Sequence, residues 1–256
     1  MIFIVEALGR YATDRLARLG RFGRFMGSII LTLFTRPLKF RRVLKRIDFI
    51  GTRSLWLIGL ISSFTGAVMA LQVYYVLVQF GAQTRVGTAV ALALIRELGP
   101  VVCAIMVAGR AGSSLASELG IMSITEQFDA LEIMGLDPFR YFMVPILIAS
   151  VISVFFLTAI FNVIGILGGY AVAGGLLGIS QGSYFSSITN FVVMHDIVSG
   201  AVKSLVFGVL IAWVCTYKGY YTGHGAEGVS RASTETVVIS SVLILMFDYI
   251  MTSIMF

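Results

Sequence analysis

Residues Tyr141–Met194 contain no Asp, Glu, Lys or Arg, and neither does Ser54–Thr84, the stretch between Arg53 and Arg85. Uncharged runs of this length cannot be dressed with a polar shell in water, whereas a helix needs only about 20 apolar residues to cross a bilayer. Composition points the same way: of 256 residues, 58% are hydrophobic and 12% charged, about half the charged share of an ordinary soluble domain. A water-soluble globule is excluded, and the chain reads as an all-α integral membrane protein. Cys103 and Cys215 each sit in an apolar run, where a cysteine acts as a small hydrophobe rather than a disulfide partner or metal ligand.

Charge is placed unevenly. Residues 1–53 hold 12 of the 19 Lys+Arg and 3 of the 13 acids, so the positive-inside bias puts this end in the cytoplasm. The chain divides into a basic N-terminal cytoplasmic or interfacial segment, 1–53, and a transmembrane domain, 54–256. In the first, Leu8, Ala12, Leu16, Leu19, Phe22 and Met26 recur at helical spacing, with Arg10, Asp14, Arg18, Arg21 and Arg24 toward the other side. This pattern predicts an amphipathic helix lying in the membrane interface, its basic face on anionic headgroups. The start MIFIVEALG lacks a basic n-region, so no cleavable signal is expected.

Five spans are expected. The first lies within Ser54–Thr84 and ends in an outer turn near Gly81. The second runs from Val86 to Gly109, stopping at Arg110. The third covers about Pro145 to Tyr170, and the Gly-rich stretch after it leads into a short outer or re-entrant element. The fourth is Ile197–Tyr217 and the fifth Val237–Phe256, which leaves the C-terminus outside. Gly59/Gly66, Gly165/Gly169 and Gly174/Gly178 allow close helix approach, either within one subunit or against a second copy.

Arg96, Glu97, Lys203 and Asp248 fall inside these spans. Each costs on the order of 2.5–3.5 kcal/mol at a helix centre, so they demand partners or water and are expected to line a cavity. Structural ion pairs between helices are the plainer alternative. Arg96 or Lys203 would suit the headgroup of an amphipathic anion, with Met69, Val76, Leu77 and Phe80 as an apolar wall.

Between the second and third spans lies SITEQFDALEIMGLDP. Ser123 and Glu126 are spaced as a capping box, Gly135 suits a C′ position and Pro138 follows the stop. A short cytoplasmic helix from about Ile124 to Met134 is predicted. Ile124, Phe128, Leu131 and Met134 form one stripe, while Glu126, Asp129 and Glu132 are offered to a partner. No GxxxxGK[ST] loop occurs, so any ATP must be bound elsewhere. His195 and His224 stand in no metal-binding spacing. Ser113 and Ser114 lie far in sequence from both histidines, which argues against a serine protease.

The stretch LIRELGPVVCAIMVAGRAGSSLASELGIMSITEQFDALEIMGLDPFRYFMVP at 94–145, with GVSRASTETVV at 228–238, resembles the MlaE (YrbE) permease family of lipid ABC transporters associated with MCE proteins. The resemblance implies a permease moving glycerophospholipid between the inner and outer membranes and maintaining outer-membrane asymmetry. It implies a homodimer in the bacterial inner membrane, each subunit having an N-terminal interfacial helix and five transmembrane helices, N-terminus cytoplasmic and C-terminus periplasmic. Implied partners are a cytoplasmic ABC ATPase that binds ATP and Mg, a STAS-domain accessory protein, a periplasmic MCE-domain hexamer and the phospholipid substrate; no nucleic acid, and no cofactor in this chain. Arg96, Glu97, Lys203 and Asp248 would line the lipid cavity, and Met69, Val76, Leu77 and Phe80 would touch acyl chains. The 123–137 segment, with Glu126, Phe128, Asp129, Leu131 and Glu132, would be the coupling helix. Glu235, where related sequences often carry a base, and the first twenty residues depart from the family pattern. Two rivals differ in kind: an ion-coupled secondary transporter or channel using the four charges as a relay, and a purely structural subunit.

Overall fold

The computed structural model describes residue 20, residues 22–33 and residues 40–255; among these the regular structure is helical throughout. Five stretches, Phe40–Gln79, Gln83–Ile124, Phe139–Gly175, Met194–Tyr220 and Gly225–Met255, are long and apolar enough to cross a membrane. A shorter helix, α1, precedes them at Phe22–Leu33. The first span comprises α2 (Phe40–Ile50) and α3 (Leu55–Gln79). The second comprises α4 (Val86–Ala93), α5 (Gly99–Val107) and α6 (Ser113–Ile124), joined by π-helical turns at Leu94–Leu98 and Ala108–Gly112. Then follow α7 (Gln127–Ile133), α8 (Val144–Gly175), α9 (Gln181–Phe191), α10 (Met194–Tyr220) and α11 (Gly225–Met255).

Of the N-terminal stripe, Leu8, Ala12, Leu16 and Leu19 lie outside the described residues. Phe22 and Met26 fall in α1, where Phe22 stacks on Trp213 with ring centroids 4.1 Å apart and accepts a hydrogen bond from its indole N–H at its carbonyl, 3.1 Å. Phe25, Met26 and Ile29 are buried, so α1 is packed onto the ends of the bundle through aromatic faces.

Helices α3 and α8 run side by side in the same direction. Gly51 faces Ser153, Ser62 donates to the Phe161 carbonyl, and a Cβ on Gly66 would overlap the backbone of Gly165. The small residues at 66, 165 and 169 therefore serve packing within the subunit, where van der Waals contact between backbones replaces the missing hydrophobic drive.

Polar ends are more helical than hydropathy suggests. The second span does not stop at Gly109 but continues to Ile124. Its basic and acidic residues find partners on the first span: Arg110 donates to the Phe49 carbonyl at 2.9 Å and to Ser54 at 2.8 Å, and Arg46 grips Glu118 with two bonds of 2.7 Å. The fifth span starts at Gly225, well before Val237. Glu235 there is held by Lys218 at 2.6 Å and Arg231 at 2.9 Å, which gives this unusual acid a local role. The element after the third span is a helix, α9, capped where Ser180 accepts from the Ser183 N–H at 3.2 Å and tied to the second span by Thr88, which donates to the Ser187 carbonyl at 2.7 Å.

The capping box does not form. Ser123 donates instead to the Tyr220 carbonyl at 3.0 Å, one of the last acceptors of α10, which lack an intrahelical donor. Glu126 sits in a left-handed turn with φ of 56° and makes no side-chain cap, so α7 starts at Gln127, three residues after the expected Ile124, which instead ends α6. The C-terminal expectation is met: Gly135 has φ of 72°, its N–H reaches Glu132 O and the Leu136 N–H reaches Leu131 O, both at 2.9 Å. That is the Schellman pattern, which favours glycine at this position.

Candidate functional site

The four ionisable residues singled out inside spans come together around one ammonium. Lys203, in the middle of α10, has a side chain with no exposure; its Nζ lies 2.7 Å from Glu97 Oε2 and 2.9 Å from Asp248 Oδ1. It also donates to Thr252 Oγ1 at 2.7 Å and to the carbonyl of Arg96 at 3.0 Å. An ammonium has three donors. Glu97, Thr252 and the Arg96 carbonyl take them, and Asp248 Oδ1 is left at ion-pair distance without a hydrogen bond. Thr252, one turn beyond Asp248 on α11, has its hydroxyl 3.1 Å from Glu97 Oε1 and 2.9 Å from the main-chain carbonyl of Asp248.

Local sequence explains why Arg96 offers its carbonyl. Pro100 lies four residues on, where a helix would normally supply the N–H for that oxygen, and proline has none. The helix around Arg96 and Glu97 widens into the π-helical turn Leu94–Leu98, a distortion common at functional sites. Close approach of α10 is permitted by Gly200, where a Cβ would collide with the Ile95 carbonyl.

Arg96 turns away from Lys203. Its guanidinium binds Asp196 Oδ1 through Nη2 at 2.6 Å and Nε at 2.8 Å. Asp196 is fully buried and its other oxygen accepts from the Val193 N–H at 3.1 Å, at the start of α10. One carboxylate thus closes a helix terminus and neutralises a membrane arginine. Asp196 and Thr252 are the two members that sequence reasoning missed. Asp196 stands one residue before the expected start of the fourth span, Ile197, and so lies outside the spans in which a charge is costly; Thr252 carries no charge, although its spacing four residues after Asp248 places it on the same face.

The network is not sealed. The side chains of Arg96 and Glu97 retain 34% and 39% exposure, so part of each faces out of the subunit at the depth of a membrane span. Among the expected apolar contacts, Met69 lies in a shallow groove with Leu98, the residue after Glu97. Leu77 is half-buried against the core, while Val76 and Phe80 project from α3 at 56% and 76% exposure.

At the other candidate surface, Phe128 is buried, its ring 5.2 Å from that of Tyr220. It anchors α7 to α10, and Leu131 is half-buried beside it. What α7 and the following turn present is acidic and apolar together: Glu126, Asp129 and Glu132 are exposed, as are Ile133 and Met134. The predicted stripe is therefore split, because Phe128 fills the space between α7 and the end of α10.

Known proteins match this sequence over most or all of its length. A family model described as Permease MlaE matches residues 43–254. The chain is 41% identical to a probable ABC transporter permease protein of Rickettsia bellii, over 100% of this chain and 99% of the relative. It is 40% identical to the intermembrane phospholipid transport system permease protein MlaE of Haemophilus influenzae, over 100% of this chain and 98% of the relative. It is 34% identical to the chloroplastic protein TRIGALACTOSYLDIACYLGLYCEROL 1 of Arabidopsis thaliana, over 90% of this chain and 66% of that protein. With five membrane-spanning helices and a match across nearly all of its length, the chain belongs to the MlaE permease family.

Proposed function

We propose that this chain is the membrane-spanning subunit of an ATP-driven transporter that moves glycerophospholipid between the inner and outer membranes and so maintains outer-membrane asymmetry. The observation that carries the reading is the network of Lys203 with Glu97 and Asp248, half-open to the outside of the subunit through Arg96 and Glu97. Charge left exposed at that depth is costly unless water, a ligand headgroup or another protein surface covers it. A lipid cavity at the interface of a homodimer meets that demand: the paired charges hold the headgroup region, and Met69, Val76, Leu77 and Phe80 supply the greasy wall along α3. The phospholipid transport named for the Haemophilus relative supports the same substrate class.

Energy enters from outside the chain. A cytoplasmic ATPase binding ATP and Mg would dock on the 123–137 region, where Glu126, Asp129 and Glu132 surround an apolar tip, and Phe128 and Leu131 would pass its movement into α10. A STAS-domain protein and a periplasmic MCE-domain hexamer complete the proposed assembly. The chain sits in the bacterial inner membrane with its basic end in the cytoplasm and its C-terminus in the periplasm.

Native mass spectrometry of the gently extracted chain, with lipid analysis of what co-purifies, tests this. Two permease copies with ATPase subunits and bound glycerophospholipid are expected. A lone, lipid-free chain that conducts ions in vesicles without nucleotide overturns the reading in favour of an ion relay.

A further inference from the structure

We propose a second site, at the basic end of the bundle, that holds the headgroup of an anionic glycerophospholipid on Arg41, Lys45 and Arg53 and its chains in a groove along α3. The site stands apart from the half-open network around Lys203, and a resident lipid binds here whether or not the chain moves lipid elsewhere.

A cavity of about 720 Å³ opens between α2, the α6 residue Glu118 and the approach to α8; its wall carries five cations and two acids. Two of the cations are already engaged. Arg46 is matched by Glu118, and Arg42 has its Cζ over the Tyr141 ring, 2.9 Å from its centroid, while donating to the Tyr141 carbonyl. Arg41 and Lys45, one helical turn apart and exposed, form no ion pair with another described residue. Arg53 has a 3.9 Å contact with Asp48, both side chains being well exposed, and its guanidinium lies 5.6 Å from the centroid of the Phe49 ring, so its charge is matched only weakly. The rim therefore offers positive charge and N–H donors that the protein itself leaves largely unmatched, the chemistry that binds a phosphate.

The depth and the surroundings of the cavity specify a lipid rather than a soluble anion. An apolar groove starts at Thr52 and Leu55, on either side of Arg53, and runs between α3 and α8 along Trp56, Leu60, Phe64 and Ile164. Trp56 is 84% exposed, as tryptophans are where headgroups meet hydrocarbon. A headgroup among the cations would thus have acyl chains continuing directly into the groove, and Leu44 and Phe142 add apolar surface to the cavity wall itself.

The test is tryptophan quenching in phosphatidylcholine nanodiscs containing the full chain. The probes are phosphatidylglycerol and phosphatidylcholine with brominated chains, and the Trp56→Phe variant supplies the blank. Wild-type Trp56 should be half-quenched at a lower fraction of phosphatidylglycerol than of phosphatidylcholine. Neutralising Arg41, Lys45 and Arg53 to Gln should weaken the phosphatidylglycerol response by roughly fivefold per cation. Asp48→Asn, which removes an opposing charge without removing a contact with lipid, should strengthen it and keeps the test decisive if the triple variant fails to fold. Equal quenching by the two lipids, or an unchanged response in these variants, overturns the site. An equal loss on neutralising the exposed Arg24 of α1 makes the effect general surface charge and also overturns it. Displacement of phosphatidylglycerol by millimolar glycerol phosphate overturns the lipid assignment, because a free phosphate then suffices.

Discussion

Lys203 donates from Nζ to the main-chain carbonyl of Arg96 across 3.0 Å. The oxygen is available because Pro100 cannot donate the N–H that would otherwise occupy it. A helix-breaking residue in the second span thus creates the acceptor that fixes a buried charge from the fourth, and holds Glu97 where Lys203 can reach it.

Pro100→Ala tests that coupling. The new N–H competes for the Arg96 carbonyl and adds a backbone bond worth about 1 kcal/mol. Thermal stability in detergent is expected to hold or rise while lipid transport by the reconstituted assembly falls. Transport at the wild-type rate would show that the carbonyl anchor is dispensable.

Lys203→Met leaves Glu97 and Asp248 facing one another without a counter-charge. Removing one partner of a buried ion pair costs about 3–5 kcal/mol, so the variant should melt early and elute poorly on size exclusion. The triple change Lys203→Met, Glu97→Gln and Asp248→Asn removes the repulsion and should recover most of the stability without recovering transport. Full transport by the triple variant would make the network structural only.

Glu97→Lys puts a second ammonium beside Lys203. At an effective dielectric near 20, like charges about 4 Å apart repel by about 4 kcal/mol. The side chain is partly exposed, so it can swing outward, and the protein is expected to insert while transport is lost. Membrane fractionation alongside a lipid-transfer assay checks both halves.

On α7, anchoring and docking separate cleanly. Phe128→Ala removes a buried ring and should lower stability by about 3–5 kcal/mol. Ile133→Asp with Met134→Asp changes exposed positions and should alter stability by no more than about 0.5 kcal/mol each, yet weaken capture of the ATPase subunit. Unchanged capture would place the ATPase contact elsewhere.

The sequence by itself determined the number of spans, their approximate centres and the presence of costly charges at 96, 97, 203 and 248. Hydrocarbon thickness and the price of charge in lipid act residue by residue, so a linear reading captures them. It also placed Gly135 at a helix end, because that preference is local backbone chemistry. Tertiary structure decided the rest. Arg110, the expected stop of the second span, and Glu118 and Glu235, outside the expected spans, lie within helices, since each is neutralised or hydrogen-bonded by a neighbour brought close only by folding. Ser123 gave up a capping box for an unsatisfied carbonyl on another helix. Asp196 entered the charged network although sequence left it at a boundary. In each case the energy of a polar group depends on its partner, and the partner is set by packing between helices that are distant along the chain.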